Sequence, residues 1–125
     1  MKKVEFSEDS KLNSIVDHSF STTNIEFIKI PQSVIKIDSY AFTECFNLKS
    51  VLFSINSKLE LIEQNAFSHT KIERIKNTSH VKKIGDYAFA KTKNLEVVEF
   101  SEESELISIG NFAFNESSIK TLSLL

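Results

Sequence analysis

The chain has 125 residues, of which 41% are hydrophobic and 26% charged, a composition that fits one folded domain and excludes a disordered chain. A net charge of -2 supplies no clustered positive field for phosphates, which excludes nucleic acid as a partner. The apolar runs are too short for membrane insertion, and a single cysteine, Cys45, excludes an internal disulfide. The start Met1-Lys2-Lys3 is basic but no apolar run follows it, so no signal peptide is expected in this chain. Phenylalanine is abundant at 11 copies, whereas glycine (2) and proline (1) are nearly absent, so the turns must be built from Ser, Asn, Asp and Thr.

In chain order the apolar residues spell one pattern six times. Val4 and Phe6 lie two apart, as expected of a strand centred on Glu5 with both side chains on one face; Leu12, Ile15 and Phe20 follow. The pattern returns as Ile25, Ile28, Ile30 around Lys29, then Val34, Ile37, Phe42. It continues as Leu48, Val51, Phe53 around Leu52, then Leu59, Ile62, Phe67. Next come Ile72, Ile75, Asn77 around Lys76, then Val81, Ile84, Phe89. Leu95, Val98, Phe100 surround Glu99 and precede Leu106, Ile109, Phe114; Ile119, Leu122, Leu124 surround Ser123. The repeat phenylalanines Phe20, Phe42, Phe67, Phe89 and Phe114 are spaced 22, 25, 22 and 25, a double repeat of 47 residues. Spacings of three and then five in the second half predict a bent return arm with a short helical turn. One repeat buries about six apolar side chains, roughly 1.5–3 kcal/mol each. Ordering its residues costs roughly 1–2 kcal/mol apiece, so stacking on neighbours is obligatory.

The period of 22 to 25 falls in the leucine-rich-repeat range, and the stretch Ile30 to Phe53, IPQSVIKIDSYAFTECFNLKSVLF, resembles the consensus of BspA-like, or Treponema-type, leucine-rich repeats. The likeness extends over essentially the whole chain. It departs at the family's glycine, which appears as Gly85 and Gly110 but is replaced by Asp38 and Glu63, so a left-handed backbone there is not compulsory. The asparagine ladder of ordinary leucine-rich repeats is also replaced, by Ser33, Asn56, His80 and Glu103. The expected fold is a right-handed, curved solenoid: a parallel β-sheet of about six strands on one face and short strand, 3-10 or helical return segments on the other. It forms a single domain, 1–125, of about five repeats (1–30, 31–53, 54–77, 78–100, 101–125). The resemblance implies a surface protein that adheres to host proteins or other cells.

No residue constellation points to catalysis. Cys45 shares its slot with Thr23, Thr70, Thr92 and Ser117, all small, and is expected to be a buried turn residue. His18, His69 and His80 lack metal-ligand spacing, so neither metal nor cofactor is expected. The recurring serines Ser7, Ser54 and Ser101, with Ser10, Ser57 and Ser104, read as turn formers rather than nucleophiles. Of two sequons, the one at Asn77 is expected to be silent because Asn77 aligns with inward residues; Asn115 is expected to be exposed.

The heterogeneous residues are those that face away from the core on each strand. One column reads Lys3, Phe27, Ser50, Arg74, Val97, Thr121; the next reads Glu5, Lys29, Leu52, Lys76, Glu99, Ser123. A repeating interior under a variable face is how solenoids present binding sites. The candidate protein-binding face is therefore Phe27, Lys29, Leu52, Arg74, Lys76, Val97 and Glu99, and the reading is a non-catalytic interaction module of antigen or adhesin type. The alternative is an intracellular scaffold or assembly subunit; the cell surface follows from the resemblance, the cytoplasm from the chain taken as complete. The apolar end at Leu122 and Leu124 is expected to dock a partner, or a second copy end to end, or to continue into a longer array.

Overall fold

The computed structural model describes residues 3–7, 9–100 and 103–119, together with the backbone of 121–124. It is a parallel β-solenoid. The long-strand face carries β1 (Lys3–Val4), β3 (Phe27–Ile30), β5 (Ser50–Phe53), β7 (Arg74–Ile75), β9 (Val97–Phe100) and β11 (Thr121–Leu124). Each return arm contributes a two-residue strand: β2 (Ser14–Ile15), β4 (Lys36–Ile37), β6 (Leu61–Ile62), β8 (Lys83–Ile84) and β10 (Ser108–Ile109). These five form one continuous sheet in chain order, and Ile15, Ile37, Ile62, Ile84 and Ile109 meet as register partners, the expected isoleucine column. The five repeat phenylalanines stack in a second column, with centroids 5.1 to 5.4 Å apart and rings within 9° of parallel. Phe42, Phe67 and Phe89 are wholly buried in it.

The return arms differ from the sequence-based expectation, because the described residues contain no helical or 3-10 segment. Consecutive tight turns replace it. In the second repeat the amides of Ala41, Thr43 and Cys45 bond back three residues, to the carbonyls of Asp38, Tyr40 and Phe42. The alternate amides of Tyr40, Phe42 and Glu44 bond forward to the carbonyls of Gln64, Ala66 and Ser68 of the next repeat. A helix spends its amides within itself; this arm sends every second one to its neighbour. The geometry requires positive φ at two residues per repeat, and none is glycine: His18 and Thr22, Tyr40 and Glu44, Asn65 and His69, Tyr87 and Lys91, Phe112 and Glu116, all between 55° and 60°. A left-handed L-residue costs roughly 1–2 kcal/mol. The cost is offset where these residues' amides donate across the repeat interface, as from His18 to Ser39, Asn65 to Asp86 and Lys91 to Asn115. Gly85 and Gly110 have ordinary φ. Their role is close approach: a Cβ on Gly85 would meet the Gln64 amide nitrogen at 2.7 Å, and one on Gly110 the Asp86 nitrogen at 2.5 Å.

The long-strand face also departs from the expectation of one sheet. It consists of two three-stranded sheets, β1-β3-β5 and β7-β9-β11, with no hydrogen-bonded ladder between β5 and β7. The strands expected around Glu5 and Lys76 end earlier, at Val4 and Ile75. The cause at β7 is Asn77, which is exposed and left-handed at φ 63° rather than inward as its alignment implied. Asparagine tolerates that conformation better than most residues. The chain turns away from the ladder, and side chains replace backbone at the seam. Asn77 Nδ2 donates to the Phe53 carbonyl at 2.8 Å on one side, and buried Thr78 donates its hydroxyl to the Glu99 carbonyl at 3.0 Å on the other.

Candidate functional site

The candidate face is built by strand alternation. In β3, β5 and β9 the pattern of exposure is half-buried, buried, exposed, buried. Inward positions Ile28, Ile30, Val51, Phe53, Val98 and Phe100 join the core, so the intervening residues must face solvent. Register pairing places Lys29 beside Leu52, Phe27 beside Ser50, and Arg74 beside Val97. Leu52 is an exposed leucine, at 47% of its maximum, and Lys29, Arg74, Lys76 and Glu99 are exposed as well. Phe27 and Val97 are half-buried.

The seam divides these residues. Phe27, Lys29 and Leu52 belong to the first sheet, Arg74, Val97 and Glu99 to the second, and Lys76 lies one residue beyond β7. The structure therefore brings together one patch that straddles the seam rather than a continuous ladder. Its charges are unequally engaged. At the first-repeat edge Lys3 pairs with Glu5 at 2.6 Å and its ammonium lies 5.8 Å from the Phe27 ring centroid. The pairing favours the ionised carboxylate and holds Glu5 below its ordinary pKa. Lys29, Arg74 and Lys76 make no ion pair among the described residues. The backbone of Leu122 and Leu124 pairs with Val98 and Phe100 in β11; their side chains lie outside the described residues.

The residues screened for catalysis have structural partners. Cys45 is fully buried; its Sγ donates to the Phe20 carbonyl at 2.9 Å and sits 3.5 Å from Thr23 Oγ1. Burial pushes its thiol pKa up, which keeps it protonated and a poor nucleophile. Thr23, Thr70 and Thr92 likewise donate their hydroxyls to carbonyls three residues back. The linker serines Ser7, Ser10, Ser54, Ser57 and Ser104 each accept from the amide two residues on, the expected turn role. The three histidines have separate neighbours: His18 stacks on Tyr40, His69 meets Phe46 edge-on, and His80 contacts Glu105.

One feature of the opposite side escaped sequence reading. The first positive-φ residue of each return arm belongs to an outer column in which His18 stacks on Tyr40 at 5.1 Å and Tyr87 on Phe112 at 5.3 Å, with Asn65 interrupting between the pairs. The recurrence of aromatics in that slot was the available signal.

No curated protein matches the chain. Among solved structures, it is similar to the pneumococcal vaccine antigen PcpA, with 29% identity, a TM-score of 0.77, and coverage of 90% of this chain and 32% of that one. A leucine-rich cell surface protein from Faecalibacterium prausnitzii shares 18% identity at a TM-score of 0.52, over 90% of this chain and 44% of that one. A leucine-rich repeat protein from Bacteroides ovatus shares 21% at 0.52, over 91% and 42%. The last two likenesses concern the fold alone, and the chain spans less than half the length of each of the three. The family model for the BspA type leucine rich repeat region matches residues 6–125 in six copies. With its isoleucine and phenylalanine columns and its parallel ladders, this chain belongs to the BspA-type leucine-rich repeat family.

Proposed function

We propose that this chain is a non-catalytic protein-interaction module of a surface antigen or adhesin, and that it binds through the solvent side of its long strands. The observation that carries the reading is the contrast between interior and face. Inward positions repeat as Ile, Val, Leu and Phe from strand to strand, whereas the outward columns run Phe27, Ser50, Arg74, Val97 and Lys29, Leu52, Lys76, Glu99. Stacking alone demands the first set and is indifferent to the second. An exposed leucine beside cations that make no ion pair among the described residues supports this reading, since desolvated apolar anchors with polar rims carry most interface energy. The likeness to PcpA, a vaccine antigen, supports the surface assignment.

The test compares two charge variants on a panel of purified extracellular-matrix and cell-surface proteins, read by biolayer interferometry. Lys29→Glu with Lys76→Glu should weaken binding while the melting temperature holds. Glu44→Lys with Lys91→Glu, on the outer arm, should leave binding intact. The opposite outcome would move the site to the outer arm.

A further inference from the structure

We infer that the partner segment recognised by this face is acidic and amphipathic: two carboxylates flanking an apolar side chain, set against Lys29, Leu52 and Lys76. This rests on the face assignment above and adds the chemistry of the ligand. Three observations support it. Lys29 and Leu52 are register partners on adjacent strands, and Lys76 follows β7 across the seam, so the exposed leucine comes between the two lysines in strand order. Paired strands are about 4.8 Å apart, so the Leu52 side chain stands next to that of Lys29. Next, Lys29, Lys76 and nearby Arg74 lack ion-pair partners among the described residues, although the other exposed cation of the face, Lys3, is already held by Glu5. Finally, carboxylates bound that order, Glu5 on one side and Glu99 on the other. Read across the strands, the column is negative, positive, apolar, positive, negative. Its complement is positive, negative, apolar, negative, positive.

An α-helix lying across the strands supplies this order. Residues three or four apart on one helix face have Cβ atoms about 5–6 Å apart, and residues seven apart are separated by about 10.5 Å of rise. Glu at position i, Leu at i+4 and Glu at i+7 therefore put an apolar residue between two carboxylates on one helix face, the order of Lys29, Leu52 and Lys76. Lys at i-4 and i+11 would face Glu5 and Glu99. Arg74, one strand position earlier than Lys76 on the same side, adds a second donor beside the latter carboxylate.

The probe is a synthetic fluorescein-labelled 18-residue peptide carrying that pattern on an Ala/Gln background, titrated with the full chain by anisotropy at 50 mM salt. Two controls replace both glutamates by glutamine or by lysine. Exposed ion pairs contribute roughly 0.2–1 kcal/mol each, so the glutamine peptide should bind about tenfold more weakly, and the lysine peptide should not bind measurably. Lys29→Glu with Lys76→Glu should abolish binding of the acidic peptide, and Leu52→Ala should weaken it about fivefold. Raising salt to 500 mM should weaken the acidic peptide more than the glutamine peptide. Equal affinity of the glutamate and lysine peptides, or no binding of the acidic peptide, overturns the acidic assignment and leaves the face assignment to its own panel test. Tight acidic-peptide binding that survives Lys29→Glu with Lys76→Glu but is lost in Lys91→Glu overturns the face assignment itself.

Discussion

Phe67, at the middle of the phenylalanine column, is among the residues whose removal should cost most. Its ring is wholly buried and stacks on Phe42 at 5.1 Å and on Phe89 at 5.4 Å, with interplanar angles of 1° and 9°. Truncating a buried phenylalanine to alanine costs about 3–5 kcal/mol, and two aromatic contacts, each adding about 0.5–1.5 kcal/mol beyond area, put Phe67→Ala near the upper end, about 5 kcal/mol. Phe114 is half-buried and stacks on one described neighbour, Phe89; Phe114→Ala should cost about 2 kcal/mol by the same reasoning. With a urea slope of about 2 kcal/mol/M for a chain of this size, the midpoints should fall by about 2.5 M and about 1 M. Because a central repeat contributes to two interfaces, Phe67→Ala should also break the single cooperative transition and lower the apparent slope. Phe67→Leu, which keeps most of the volume and loses the stacking, should cost about 1–2 kcal/mol. Far-UV circular dichroism against urea measures all three. Equal losses at positions 67 and 114, or a loss below about 1 kcal/mol at 67, would refute the phenylalanine column as the structural spine.

Lys91 is exposed at φ 58°, so Lys91→Gly should raise stability by about 0.5–1 kcal/mol through relief of left-handed strain; Lys71→Gly, at a position without positive φ, should lower it by a similar amount, both read by thermal melting. Burial raises the Cys45 thiol pKa, so native protein should react with a disulfide reagent at pH 8 at least a hundredfold more slowly than urea-unfolded protein. The sign for stability follows: the folded chain holds the proton that the unfolded chain releases, so this contribution is present below the ordinary thiol pKa of about 8.5 and is lost as pH rises past it. Asn77→Ala removes both the bond to Phe53 and the residue suited to φ 63°; it should cost about 2 kcal/mol and Asn77→Gly about 1 kcal/mol. Hydrogen exchange in Asn77→Ala should rise at β7 and not at β3.

The core was readable because its residues obey two constraints that sequence spacing records directly. Strand pairs such as Ile28 and Ile30 reveal themselves by period two, and Ile62 with Phe67 by recurrence at fixed offset. The return arm was not readable in the same way. Positive φ usually leaves a glycine, and here His18, Tyr40 and Glu44 take it, because the inter-repeat hydrogen bond and not the local residue decides the conformation. The seam at Asn77 did leave a mark, a polar residue in an otherwise apolar column. It was read as a buried asparagine, since alignment by offset assumes that every repeat keeps the same backbone. The outward columns could be assigned to the face by alternation. That Lys29, Arg74 and Lys76 make no ion pair among the described residues while Lys3 is engaged required the structure, because side-chain pairing depends on register between repeats.

The most direct test of the account is a map of the amides that sense a bound ligand. Heteronuclear NMR of the nitrogen-15-labelled chain, titrated with the acidic amphipathic peptide, resolves the two sides of the solenoid. Shifts should centre on Phe27, Lys29, Leu52, Arg74 and Lys76, with His18, Tyr40 and Tyr87 of the outer column unchanged. Shifts confined to that outer column, with Lys29 and Leu52 silent, would contradict it.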